Sequence, residues 1–149
     1  PSDPLFQSTF DHARACDPVV ADDETAYVTL RDGSTCEGFD NQLELIYVSN
    51  VLAPTLIAVH KMDNPHGLAL DGNILYVCEG DFGFKVLDVS ERGKAKELAN
   101  EKNLVSTDVI AFPDDRILVV GKKGISQYDV TNPKKMKLLS QITVNNPTR

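Results

Sequence analysis

Gly83-Phe84-Lys85-Val86-Leu87-Asp88-Val89-Ser90 decides the fold, because the chain repeats its pattern on either side. Asn41-Gln42-Leu43-Glu44-Leu45-Ile46-Tyr47-Val48-Ser49 precedes it, and Gly124-Ile125-Ser126-Gln127-Tyr128-Asp129-Val130-Thr131 follows. Forty-one positions separate Tyr47 from Asp88, and another 41 separate Asp88 from Asp129. A period in the low forties, built from short runs of strand-forming residues, is the signature of four-stranded propeller blades. One blade cannot bury both of its faces alone, so the repeat implies stacking against neighbours.

Around each of these strands the same units recur. A first run (Pro18–Ala21, Gly67–Leu70, Asp108–Phe112) turns into a second (Ala26–Leu30, Ile74–Cys78, Ile117–Val120). The turn in the middle unit is Asp71-Gly72-Asn73, and Asp-Gly between apolar runs marks a hairpin. The quoted segments supply the third strand, and a more polar fourth follows at Thr55–Lys61, Ala95–Asn100 and Leu138–Val144. Their polarity suits a partly wetted outer strand, whereas the first three are rich in Val, Ile, Leu and Tyr, as covered strands are. Only Ser90–Asn103 offers a helical alternative, and it is short and highly charged. The fold expected is therefore all-β, with blades at approximately 17–62, 66–101 and 107–144. Pro4–Phe10 resembles the run Lys137–Thr143, so residues 1–13 are expected to be the outer strand of a preceding blade. Closed propellers have four to eight blades, so the chain is expected to be part of a larger ring. The polar 144–149 segment reads as a C-terminal tail, which would place the further blades upstream, and Pro1 at the start reads as a processed or truncated product.

Asp88 and Asp129 stand at strand ends before Val-Ser and Val-Thr. Their carboxylates are expected to accept backbone N–H bonds from the turn that follows.

Composition narrows the function. A net charge of −7 argues against a nucleic-acid partner, which needs a basic face, and Lys134, Lys135 and Lys137 read as a solvated strand edge. No apolar run approaches the roughly 18 residues needed to span a bilayer. Nucleophile-elbow, P-loop, His-Glu-x-x-His and dinucleotide-binding motifs are all absent from the sequence. Without Trp and with 7% aromatic residues, it offers few platforms for a sugar-binding reading.

The units resemble the LVIVD-repeat family of bacterial propeller proteins. The resemblance rests on Ile74-Leu75-Tyr76-Val77-Cys78, on Gly83–Ser90, and on Gly124–Thr131 continued by Asn132-Pro133. It spans about Asp17 to Val144. The first unit departs from the pattern: Tyr47 replaces the repeat Asp, and its second-to-third-strand loop has eight extra residues. The resemblance implies an extracytoplasmic, often lipid-anchored bacterial protein that serves as a binding or scaffold module with a protein partner and no cofactor.

Cys16 lies before the first strand and Cys36 in the enlarged loop. In an up-and-down blade both positions emerge on one face, so a Cys16–Cys36 disulfide is expected, worth on the order of 3 kcal/mol for a loop of about 20 residues. The alternative is a pair of unlinked thiols in a reducing compartment. Cys78, at a strand end, reads as a buried free thiol.

The first strand of each blade lines the hub, so the turns leading into it should ring the channel mouth. That places Asp17, His66 and Asp108 there as ligand-binding candidates, with Arg14, His12 and Asn64 nearby. Two readings follow. One is a non-enzymatic binding propeller, with the insertion Arg31–Asn41 as its contact. The other is a metal-dependent hydrolase of lactonase or esterase type, with its metal at the mouth. Glu79 and Asp81, in the next turn, are candidates for a weak Ca²⁺ site. The bland alternative for all of these is ordinary turn chemistry and channel solvation.

Overall fold

The computed structural model describes residues 5–9, 18–32 and 40–144. Among them are twelve strands and no helix, so no helix is long and apolar enough to cross a membrane. The first sheet holds β1 (Val19–Ala21), β2 (Thr25–Leu30), β3 (Gln42–Tyr47) and β4 (Thr55–Lys61). The second holds β5 (Leu68–Asp71), β6 (Ile74–Cys78), β7 (Phe84–Asp88) and β8 (Lys96–Asn100). The third holds β9 (Asp108–Phe112), β10 (Arg116–Gly121), β11 (Gly124–Asp129) and β12 (Lys137–Thr143). Each is an antiparallel meander in chain order.

The repeat is visible in the irregularities too. The third and fourth strands of every sheet slip register at one place: Leu45/Ile46, Val86/Leu87 and Gln127/Tyr128, 41 residues apart each time. The residue bulged out of the fourth strand is Ile57, Leu98 or Leu139, again 41 apart and aliphatic in each case. A bulge adds local twist, so each blade twists its outer strand at the same point. The strand-end carboxylates also behave alike. Asp88 Oδ1 accepts the Ser90 amide at 2.9 Å, and Asp129 Oδ1 accepts the Thr131 amide at 2.9 Å and its hydroxyl at 2.7 Å. These bonds hold both carboxyls below the usual carboxylate range.

The sheets meet through their first strands, β1 against β5 and β5 against β9, so they fan outward from a common hub. Two cores fill the wedges. Tyr27, Leu43 and Leu45 pack against Leu68, Leu75, Val77 and Leu87, while Tyr76, Phe84 and Val86 pack against Val109, Ile117 and Val119. The far face of the third sheet has no such cover: Ile110 is 53% exposed, whereas Ala69, its counterpart one blade earlier, is 8% exposed.

The preceding blade that residues 1–13 were expected to join is not among the described residues. Residues 5–9 form no strand, and Leu5 and Phe6 stand exposed; no described strand edge pairs with them, and a lone extended segment has nothing to repay its ordering. The remainder of 1–13 lies outside the described residues. Ser90–Asn103 is not helical: it is a turn leading into β8. Tyr47, the departure from the repeat Asp, instead receives the Arg92 guanidinium 3.8 Å above its ring, a cation–π contact that ties the first sheet to the second.

Candidate functional site: a polar recess at the hub

Hydrogen bonds within and between the blades build the mouth of the hub. The Thr29 hydroxyl donates to the His66 carbonyl at 2.8 Å, and the His66 amide donates to the Cys78 carbonyl at 2.7 Å. The Gly67 amide donates to Thr107 at 3.0 Å, while Gly80 and Ser106 exchange bonds at 2.9 and 3.2 Å. Blade one is thus tied to blade two through Thr29, and blade two to blade three through Gly67 and Gly80. Gly80 has a φ of 57°, and a Cβ there would strike Asn64 and His66, so only glycine fits this close approach.

Within this frame lies a recess of about 620 Å³. Arg31 and Asp32 reach it from the end of β2, and Asn64 and His66 from the turn before β5. Asp81 enters from the β6–β7 turn, Thr107 from the turn before β9 and Lys122 from the β10–β11 turn. All three sheets contribute.

Arg31 Nη1 lies 2.5 Å from His66 Nδ1 and 2.9 Å from Nε2. A single nitrogen that close to both ring nitrogens sets a cation against the imidazole. Burial pulls the His66 pKa below its ordinary value, the Arg31 charge pulls it further, and Asp81 opposes them without prevailing. His66 is therefore a neutral ring at neutral pH, able to accept or donate one hydrogen bond.

Of the residues expected at the mouth, Asn64 and His66 are there. Asp108 is not among the recess residues; it opens β9, accepts the Val109 amide at 2.9 Å and sits against Gly67. Asp17, Arg14 and His12 lie outside the described residues, as do Cys16 and Cys36. Cys78 is buried and unpaired, and burial pushes its thiol up to about 12, which leaves it unreactive.

The proposed calcium pair is separated. Asp81 faces the recess, but Glu79 points inward and is fully buried. One of its oxygens accepts the backbone amides of Asp63 and Asn64 at 2.8 Å each. The other lies 3.4 Å from Lys85 Nζ, which also donates to Asp63 at 2.9 Å. Glu79 already has a counter-charge and is not free to ligate a cation. Its role is to fix the turn that carries Asn64 and His66. Among the described residues no three His, Cys, Asp or Glu side chains converge as a metal set would, so the hydrolase reading finds no described ligand set at the mouth.

No protein-family model and no curated protein matches this sequence. Among solved structures, the crystal structure of the N-terminal domain of Nup159 superposes with a TM-score of 0.51 at 13% identity, covering 85% of this chain and 30% of that one. That domain is a β-propeller.

These three sheets are propeller blades.

At this identity the likeness concerns the fold alone, and the chain spans less than a third of that propeller. Arg31 and Lys122 are among the recess residues that sequence reasoning did not place at the mouth. Arg31 was legible only as the first residue of an enlarged loop, and Lys122 only as the residue standing where blade two has an acidic turn.

Proposed function

We propose that this chain is a non-enzymatic binding propeller whose hub recess, together with the enlarged β2–β3 loop, receives a protein partner. The observation that carries this reading is the convergence of Arg31, Asn64, His66, Asp81, Thr107 and Lys122, from all three blades, on a single recess fixed by bonds between those blades. The lining offers charges of both signs together with neutral donors and acceptors, which suits a polar loop more than an apolar one. Such a site on a rigid scaffold binds without having to be ordered first.

The setting proposed is a bacterial cell-envelope or surface assembly, with the protein outside the cytoplasm and anchored by lipid. Its support is the resemblance to LVIVD-repeat propellers and the expected Cys16–Cys36 bridge. The test replaces residues 32–40 with a two-residue turn like that of blade three, and separately makes Lys122→Glu. Both variants are expected to lose co-purification with the partner from the envelope fraction; Lys122→Glu is expected to keep the parent's unfolding midpoint, and the loop replacement, which also removes Cys36, to keep that of Cys16→Ser. Undiminished capture by both overturns the reading.

A further inference from the structure

Lys85 and Ser126 hold the same place in consecutive blades, 41 residues apart, and each faces the blade before it. Lys85 is flanked by Asp63 and Glu79; around Ser126 the matching residues are Leu104 and Gly121. All three members of the ion cluster are replaced together. The space that Lys85 fills between blades one and two is open between blades two and three, as a cleft of about 240 Å³.

One wall of the cleft is the sheet of blade three. Strand register puts Val119 opposite Ser126 and Ser126 opposite Gln141, with Tyr128 two residues along the same face. Gln141 Nε2 donates to Ser126 Oγ at 3.2 Å. The other wall is the connection from β8 to β9, including Glu101 and Leu104. A Cβ on Gly121 would collide with the Val105 carbonyl, so no side chain from that position can refill the space. Both walls belong to the described chain, so the cleft is complete without any further blade.

We propose that this cleft binds a neutral sugar ring, a single pyranose unit. The interior has lost every charge that its sibling carries, and the rim holds one acid, Glu101, and one base, Lys123. A charged guest would be desolvated with no counter-ion to meet it. Tyr128, Leu104 and Leu138 supply apolar surface, while Gln141, backed by the buried Ser126, supplies donors and acceptors along one side. A guest with one CH-rich face and one hydroxyl-bearing edge matches that division. The site is separate from the hub recess and does not rest on the reading given for it.

The test is an amide-shift titration of the ¹⁵N-labelled chain with methyl glucoside, methyl galactoside and methyl mannoside. At least one glycoside is expected to give saturable shifts centred on Val105, Gly121, Ser126 and Tyr128. Ser126→Lys, which restores the side chain that blade two carries there, is expected to abolish them. Gln141→Ala, on the exposed outer strand where folding is not at stake, is expected to weaken binding at least tenfold. The proposal is overturned if no glycoside shifts these amides, if shifts gather at Asn64, His66 and Thr107 instead, or if Gln141→Ala binds as well as the parent.

Discussion

Lys85 Nζ lies 3.4 Å from the buried Oε1 of Glu79, an ion pair within blade two on the face it turns to blade one. The Glu79 side chain is wholly inaccessible and has Lys85 as its counter-charge, while Lys85, 10% exposed, also meets Asp63. Breaking one side of a buried pair leaves an uncompensated ion. Lys85→Met is therefore expected to destabilise the protein by about 3–5 kcal/mol, while Glu79→Gln with Lys85→Met recovers most of that loss. Urea unfolding of the two single variants and the double variant measures the coupling. Additive losses would show that the pair is not a unit.

The same pair predicts a response to alkali. Burial lowers the Lys85 pKa, but the hydrogen bond to Asp63 and the Glu79 charge outweigh it, so the folded value stands above the ordinary 10.5. A raised pKa means the folded state holds the proton more tightly. Its stabilisation is fully present below 10.5 and is lost as pH climbs through the folded value. Unfolding free energy followed from pH 9 upward should fall faster in the parent than in the Glu79→Gln, Lys85→Met double variant.

His66 responds in the opposite sense. Its folded pKa is depressed by burial and by Arg31, so the unfolded chain binds the proton more readily. Stability is expected to decline as pH falls from 6.5 toward the folded value. Arg31→Gln should raise the His66 pKa and Asp81→Asn should lower it further, read from the imidazole proton resonances with His66→Gln as the assignment control. An unchanged titration in Arg31→Gln would mean that the guanidinium does not act on the ring.

Some of this architecture could be read from the residues and some could not, for physical reasons. The 41-residue spacing, the hairpin at Gly72 and the carboxylate bonds of Asp88 and Asp129 are local or periodic, so the sequence carries them directly. Glu79 is different: it sits in a polar turn beside Asp81, and nothing nearby reveals that its counter-charge and its amide donors come from Lys85 and from Asp63 and Asn64. Lys85 reads as one interruption in an apolar strand, yet its partner Asp63 is 22 residues upstream. Leu5–Thr9 has the composition of an outer strand but no described edge to pair with, and pairing rather than composition makes a strand.

The proposed Cys16–Cys36 bridge is open to direct assay. The unreduced, denatured chain should alkylate at one cysteine, Cys78, and at three after reduction. Cys16→Ser is then expected to cost on the order of 3 kcal/mol, since it releases a loop of about 20 residues. Three alkylated thiols without reduction, in protein prepared under oxidising conditions, would remove both the bridge and its support for an extracytoplasmic setting.

Leu98 and Leu139 are the bulged residues of consecutive outer strands, identical in type and repeat position. Their surroundings differ in one respect. Leu98 packs against the core that blade three completes, while Leu139 lies on the uncovered side of that blade and is 46% exposed. Truncation removes the same atoms from both, so the difference in cost reports what a neighbouring blade contributes. Leu98→Ala is expected to lose roughly 1–2 kcal/mol, because the side chain is only partly buried, and Leu139→Ala to stay within about 0.5 kcal/mol. Denaturant unfolding of the two variants makes the comparison. Equal losses at both positions would show that outer-strand leucines stabilise their own blade, and that the seam between blades adds nothing at this point.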